Sequence, residues 1–310
     1  MSRRAWRLAL AAIGALLVVV EVTVRALGLV DFPIYTVDPD IGYFLQPNQA
    51  GAFLGKNRWV FNDRSLGVGA AWQPSHRTNV VVIGNSVVLG GNPYDQKDKV
   101  VPLIQSQLGA TCAVWPVATG GWSTVNETRF LERNPDIVQG TDLFVWEYAA
   151  HGLTRPTAWR GEELFPTRRP LWATGYLLRK PLFERFPPPP NLVPATAATV
   201  ADNYARFEQM LAQLSVPRSD KKLRKPTGII FLYPDRNQLE GARLGLEWLP
   251  DRARIERIAA AHGLTVIDVS SQPQWTDSMY RDDVHPTPAG NAALAAILAP
   301  VIRQALGGGC

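Results

Sequence analysis

From Asn79 onward the sequence alternates short apolar runs with longer stretches whose apolar residues recur at helical spacing, and few architectures accept that pattern. The runs are Asn79–Gly84 (NVVVIG), Cys112–Ala118 (CAVWPVA), Asp142–Tyr148 (DLFVWEY), Gly228–Tyr233 (GIIFLY) and Leu264–Val269 (LTVIDV). Because they are apolar almost throughout rather than at every second position, they suit strands buried on both faces, hence a parallel sheet covered by helices. Lys99–Leu108, Val125–Arg133, Val200–Leu214, Arg252–His262 and Pro288–Leu306 supply those helices. Five strands joined by right-handed crossovers predict a three-layer α/β/α domain over residues 79–310.

At 310 residues, with 46% hydrophobic and 19% charged residues, the chain can bury a large core, and one catalytic-sized domain is expected. The net charge of +5 includes Arg3, Arg4 and Arg7, so the remainder is only weakly basic and nucleic acid is not an expected partner. Cys112 and Cys310 lie far apart and show no metal-ligand spacing. No metal or other cofactor is expected, and a single bridge tying down the C-terminus is left open.

Residues 1–30 bear on the compartment. Leu8 to Val24 is apolar except for Glu21 and comes after the basic stretch Ser2 to Arg7, an arrangement that keeps the N-terminus cytoplasmic and exports the C-terminal bulk of the chain. The segment is short for a span of about 20 residues, and continuing it to Val30 includes Arg25. An N-terminal membrane helix within residues 8–30 is the expectation. A cleavable signal peptide is the rival, with Ala26-Leu27-Gly28 as a weak cleavage site. A buried helix of a soluble protein would leave the basic flank unexplained.

Residues 31–78 are rich in Pro, Gly, Asn and aromatics, with Ile41-Gly42-Tyr43-Phe44 and Arg58-Trp59-Val60-Phe61 as small strand candidates, and read as a lead-in packed on the core. Residues 152–197 break the alternation with prolines, including Pro187 to Pro190, and carry seven basic residues against three glutamates. So long a connection suits a lid or a partner surface, and a solvated basic excursion accounts for it equally well.

Ligands of open α/β sheets bind beyond the carboxyl ends of the strands. After the first strand, Gly84-Asn85-Ser86-Val87-Val88-Leu89-Gly90 puts a serine on a tight strand-to-helix turn, where it can be a nucleophile or a helix cap. After the fifth strand, Asp282-Asp283-Val284-His285-Pro286 sets an Asp three residues before a His, on a loop that enters the last helix. Asp282 can orient the imidazole of His285, which can then take a proton from Ser86.

These two blocks, G-[DN]-S-x-x-x-G and D-x-x-H-P-[TL]-x-[AG]-G, resemble blocks I and V of the SGNH (GDSL-like) hydrolase family over about residues 79–306. The resemblance implies a flavodoxin-like sheet and a metal-independent Ser86, His285, Asp282 triad acting through an acyl-enzyme. Asn85 stands where aspartate is more usual. Block II of the family supplies an oxyanion-hole glycine, and Gly121, or alternatively Gly120, stands in its place; its N–H would act with that of Ser86.

Block III departs from the pattern, since Trp146-Glu147-Tyr148-Ala149-Ala150-His151-Gly152 has no asparagine. The stretch is similar to the W-E-x-x-x-[RH] segment of SGNH proteins of alginate acetylation, so that His151 would replace the missing donor and Glu147 would orient another group. A packed tryptophan and a capping glutamate are the plainer alternative. Asp235 and Arg236, after the fourth strand, are further substrate-contact candidates.

With the lead-in segment Asp38-Pro39-Asp40-Ile41-Gly42-Tyr43, the resemblance extends to membrane-anchored bacterial proteins of exopolysaccharide or cell-wall O-acetylation. It implies an O-acetyltransferase or acetylesterase in the periplasm, anchored in the inner membrane or else secreted after cleavage. The substrate would be a glycan or acyl ester, and transfer would require an integral-membrane acyl-donor protein. A broad carboxylester hydrolase and a catalytically impaired scaffold of an acetylation complex are the alternatives.

Overall fold

The computed structural model describes residues 2–73, 77–186, 195–216, 228–308 and 310. Helix α1 (Arg3–Ala26) buries none of its side chains. At about 1.5 Å per residue it is long enough, and apolar enough, to cross a membrane. Two antiparallel hairpins come next, β1 (Tyr35–Asp38) with β2 (Gly42–Leu45) and β3 (Gln49–Phe53) with β4 (Asn57–Phe61).

The central sheet is built from β5 (Thr78–Gly84), β6 (Cys112–Ala118), β7 (Leu143–Tyr148), β8 (Gly228–Leu232) and β9 (Thr265–Asp268). All pairings are parallel and the order is β6-β5-β7-β8-β9, the flavodoxin-like order in which the chain reverses direction across the sheet after its second strand. The five apolar runs are these five strands.

The helices are α2 (Ser86–Leu89), α3 (Val100–Leu108), α4 (Thr124–Arg133), α5 (Pro135–Gly140), α6 (Ala173–Arg185), α7 (Ala197–Leu214), α8 (Arg236–Arg243), α9 (Arg252–Ala261) and α10 (Pro288–Ala305). Alternate strand residues face opposite layers. Val81, Ile83, Trp146 and Ile230 pack with Phe130 of α4 and Phe207 of α7, while Val80, Val82, Val145 and Ile229 pack with Ile104 of α3 and Leu298 of α10. Two cores separated by one sheet explain why the strands show no polar alternation.

The first lead-in hairpin packs against the turn and helix that follow β6. Tyr43 is fully buried, its carbonyl accepts from Trp122 Nε1 (2.6 Å), and the Ile41 carbonyl accepts from Asn126 Nδ2 (2.6 Å). Cys112, opening β6, is disulfide-bonded to Cys310, a closure the spacing alone had left open.

Residues 152–197 differ from the irregular excursion read in the sequence, because they contain α6. Apolar residues lie on more than one of its faces and Pro181 sits inside it, so no single helical stripe marks it. Its first turn is held from outside: the Glu21 carboxylate accepts from the N–H groups of Ala173 (2.8 Å) and Thr174 (2.9 Å). Pro187 to Pro190 lie outside the described residues. The short helices α5 and α8 were likewise not read from the sequence, although Asp235 and Gln238 form a capping box that starts α8.

Candidate active site

The turn after β5 depends on close backbone approach. A Cβ on Gly84 would lie 2.4 Å from Glu147 Oε2 and 2.5 Å from Val88 Cγ2, so only glycine allows β5 to end there. The Asn85 N–H donates to Glu147 Oε2 (3.2 Å), and Asn85 Oδ1 accepts from the Val87 N–H (3.0 Å), capping α2. Ser86 is therefore the first helical residue. Gly90, in the left-handed conformation (φ 78°), ends the four-residue helix.

The second half of the site is the loop before α10. Asp282 Oδ1 accepts from the backbone N–H groups of His285 (2.8 Å) and Val284 (3.0 Å), folding the loop back on its own carboxylate. The same carboxylate lies 2.9 and 3.0 Å from His285 Nδ1, and His285 Nε2 lies 2.9 Å from Ser86 Oγ. Burial on its own would raise the Asp282 pKa. The N–H groups of His285 and Val284, with the Arg281 guanidinium, outweigh that and hold the carboxyl well below the usual carboxylate range. An ionised Asp282 selects the tautomer with hydrogen on Nδ1, leaving Nε2 to accept from the serine hydroxyl.

Several contacts not read from the sequence hold this loop. The Tyr233 hydroxyl donates to the Val284 carbonyl (2.7 Å) and that of Tyr94 to the Pro286 carbonyl (3.0 Å). Arg236 donates through its guanidinium to the Tyr280 carbonyl (2.9 Å) and through its backbone N–H to the Asp283 carbonyl (2.8 Å). Thus Arg236 has a structural partner in the loop, and Asp235 caps α8 by accepting from the Gln238 N–H (2.7 Å). No short sequence signal marks Tyr94 or Tyr233.

Gly120 and Gly121 come just after β6, as Asn85 and Ser86 come just after the adjacent β5. Gly121 has a positive φ (80°), and a Cβ there would lie 2.7 Å from the Tyr43 hydroxyl; a Cβ on Gly120 would meet nothing nearer than Leu89 at 3.8 Å. Tyr43 donates to the Gly120 carbonyl (2.9 Å), pinning the turn. Among the described residues, no protein acceptor takes the N–H of Ser86, Gly120 or Gly121. Three donors without acceptors thus sit at the ends of two neighbouring strands.

His151 is exposed, with φ 63°, on the turn after β7, and no hydrogen bond joins it to Ser86 or His285. Glu147 lies under the Ser86 turn instead of facing the crevice. It is buried, and burial pushes its pKa up to about 7, against the opposing hydrogen bonds from Asn85. On the other face of the sheet, Glu127 of α4 accepts from Trp146 Nε1 (2.6 Å), and burial together with the Glu147 charge holds its pKa well above the usual carboxylate range.

The side chains of His285 and Asp282 are 36% and 45% exposed, which makes the site an open one. Two cavities, of about 350 and 400 Å3, are lined by none of the three residues. Hydrogen-bond geometry therefore locates this site, whereas cavity size does not. Among the described residues, no cluster of three or more His, Cys, Asp or Glu is placed to hold a metal ion.

No protein-family profile and no curated protein matches the sequence. Among solved structures, the chain is similar to a carbohydrate acetylesterase family member from Sinorhizobium meliloti, at 16% identity and a TM-score of 0.43 over 74% of this chain and 99% of that one. It is also similar to a lipase/acylhydrolase from Enterococcus faecalis, at 17% identity and a TM-score of 0.45 over 73% and 95% of the two chains. An inhibitor-bound aryl esterase of M. smegmatis matches at 15% identity and a TM-score of 0.43 over 74% and 100%.

Proposed function

We propose that the chain is an SGNH-type serine enzyme that transfers or removes a short acyl group, acetyl above all, on an extracytoplasmic bacterial glycan. The observation that carries this reading is the continuous hydrogen-bond chain from Ser86 Oγ through His285 to Asp282. In the first step Ser86 Oγ attacks the ester carbonyl carbon while its proton passes to His285 Nε2. The carbonyl oxygen becomes an oxyanion within reach of the unengaged N–H groups of Ser86 and Gly121. Collapse of this intermediate expels the alcohol, which takes the proton back from His285 and leaves the acyl group on Ser86. Water, or a sugar hydroxyl, then gives its proton to His285 and attacks the acyl-enzyme, releasing acid or acylated sugar and restoring the serine.

Three features support the extracytoplasmic setting. Helix α1 has the length and composition of a span behind a basic N-terminal flank. The Cys112–Cys310 disulfide suits an oxidising compartment. Glu21 and Arg25 have partners in the folded domain, which supports retention of α1 as an anchor over its removal. The open site favours an acyl group carried on a bulky chain, and transfer requires an acyl donor delivered from the membrane.

A scaffold without catalysis is the second reading, favoured by the lack of an asparagine after β7. The two readings separate on the full-length protein in detergent. An enzyme hydrolyses p-nitrophenyl acetate and is labelled at Ser86 by a fluorophosphonate, and Ser86→Ala loses both; a folded wild-type protein that does neither is the scaffold. Mass spectrometry of oligosaccharides incubated with an acetyl donor then distinguishes transfer from hydrolysis.

A further inference from the structure

Glu21 interrupts the apolar helix α1, and the fold accounts for it. Its carboxylate takes the place of a side-chain cap on α6, accepting from the N–H groups of Ala173 and Thr174 and from the Thr174 hydroxyl (2.9 Å). One turn later Arg25 donates to the carbonyls of Pro170 (2.9 Å) and Leu171 (2.8 Å) and pairs with Glu21. The C-terminal end of α1 is thereby tied to the N-terminal end of α6.

Helix α6 has two apolar faces. On the inner one, Ala173 and Tyr176 pack with Val30 and Phe32, with Val24 of α1 and Leu177 against them. On the outer one, Leu178, Leu182 and Phe186 recur every fourth residue and form a ridge, continued before the helix by Leu171 and Trp172. These five side chains are between 59% and 93% exposed. Arg168, Arg179 and Arg185 are also exposed, and Glu184 is the lone acid between residues 168 and 186.

We infer that α6 lies in the interfacial layer of the bilayer that α1 spans, with Leu171, Trp172, Leu178, Leu182 and Phe186 in the acyl boundary and its arginines among anionic headgroups. This inference rests on the reading of α1 as a membrane anchor. Continuity identifies the occupant: the exposed ridge begins where α1 leaves the membrane, and a cationic, apolar surface at that level meets lipid first. Leu171 and Trp172 extend the ridge to the point where Arg25 of α1 is bonded.

The consequence reaches the active site. Phe165, a few residues before α6, stacks on Tyr43 (4.1 Å between ring centroids), and Tyr43 pins the Gly120 turn. The Pro166 carbonyl accepts from the Tyr35 N–H (2.8 Å), and Arg169 donates to the Val30 carbonyl (2.9 Å). The segment that meets lipid is thus continuous with the one that walls the glycine turn, and α6 sets the orientation of the Ser86 crevice above the membrane.

The test uses the full chain in phosphatidylglycerol-containing proteoliposomes, with an environment-sensitive fluorophore on Leu178→Cys, Leu182→Cys or, as a control at an exposed position of α3, Gln107→Cys. Interfacial helices sit about 5–10 Å below the headgroup surface. Probes at 178 and 182 are therefore expected to shift to the blue and lose emission to shallow doxyl-lipid quenchers, while the probe at 107 does neither. Water-exposed, unquenched probes at 178 and 182, in a chain whose α1 resists alkaline extraction, overturn the inference; protection that appears only when a second membrane protein is added overturns it in favour of that protein. Extraction of the chain at alkaline pH overturns the anchor and the inference together.

Discussion

The Glu147 carboxylate accepts a hydrogen bond from the Asn85 backbone N–H at 3.2 Å, directly under the turn that presents Ser86. Its other oxygen is buried with no hydrogen-bond partner among the described residues, so the charged form is poorly compensated. The ordinary value of 4.5 is accordingly pushed up to about 7. Because the folded state holds this proton more tightly than the unfolded chain, the resulting stability is complete below about pH 4.5 and is lost as pH rises through about 7. Glu127 acts with the same sign, whereas Asp282 works in the opposite direction only near and below its ordinary 3.8. Thermal melts across pH 4.5 to 8 should show falling stability, and Glu147→Gln should flatten that slope and melt higher than wild type at pH 8. An unchanged slope in the variant would sink the assignment.

The two candidate oxyanion glycines should respond differently to a methyl group. Gly121→Ala meets both a left-handed backbone and the Tyr43 hydroxyl, so kcat on p-nitrophenyl acetate should fall by about 100-fold or more as the donor is displaced. Gly120→Ala has space for its Cβ and should stay within a few-fold of wild type. Equal losses in the two variants would remove the distinction between them.

On the proposed mechanism, Arg236 acts through the loop it holds, as a positioning residue. Arg236→Ala releases the Tyr280 carbonyl and loosens the segment carrying Asp282 and His285. A misplacement on the scale of 1 Å can cost about 100-fold in rate, so kcat should drop with little change in KM. A rise in KM at constant kcat would instead indicate direct contact between Arg236 and substrate.

Loss of the Cys112–Cys310 bridge should lower stability without altering the site. Closing so long a loop is worth about 2–4 kcal/mol, so the Cys112→Ser, Cys310→Ser double variant should unfold at lower denaturant while retaining fluorophosphonate labelling of Ser86. Loss of labelling under native conditions would mean that the bridge also supports the active-site geometry.

What the sequence determined by itself is what local pattern can encode. Runs apolar almost throughout specified the five buried strands, and Asp282 stands three residues from His285 because one carboxylate can bond the ring together with the backbone N–H groups of Val284 and His285. Ser86 between Gly84 and Gly90 was legible for the same reason, since a tight turn and a left-handed cap restrict residue choice locally. Tertiary structure decided which distant groups meet: Ser86 and His285, 199 positions apart, Glu21 on the first turn of α6, Arg236 on the histidine loop, and Glu147 beneath Asn85. None of these pairs leaves a periodic trace, because each depends on two segments being packed side by side. Helix α6 escaped detection on similar grounds: a helix with one apolar face on protein and another left outside it carries no single stripe to read.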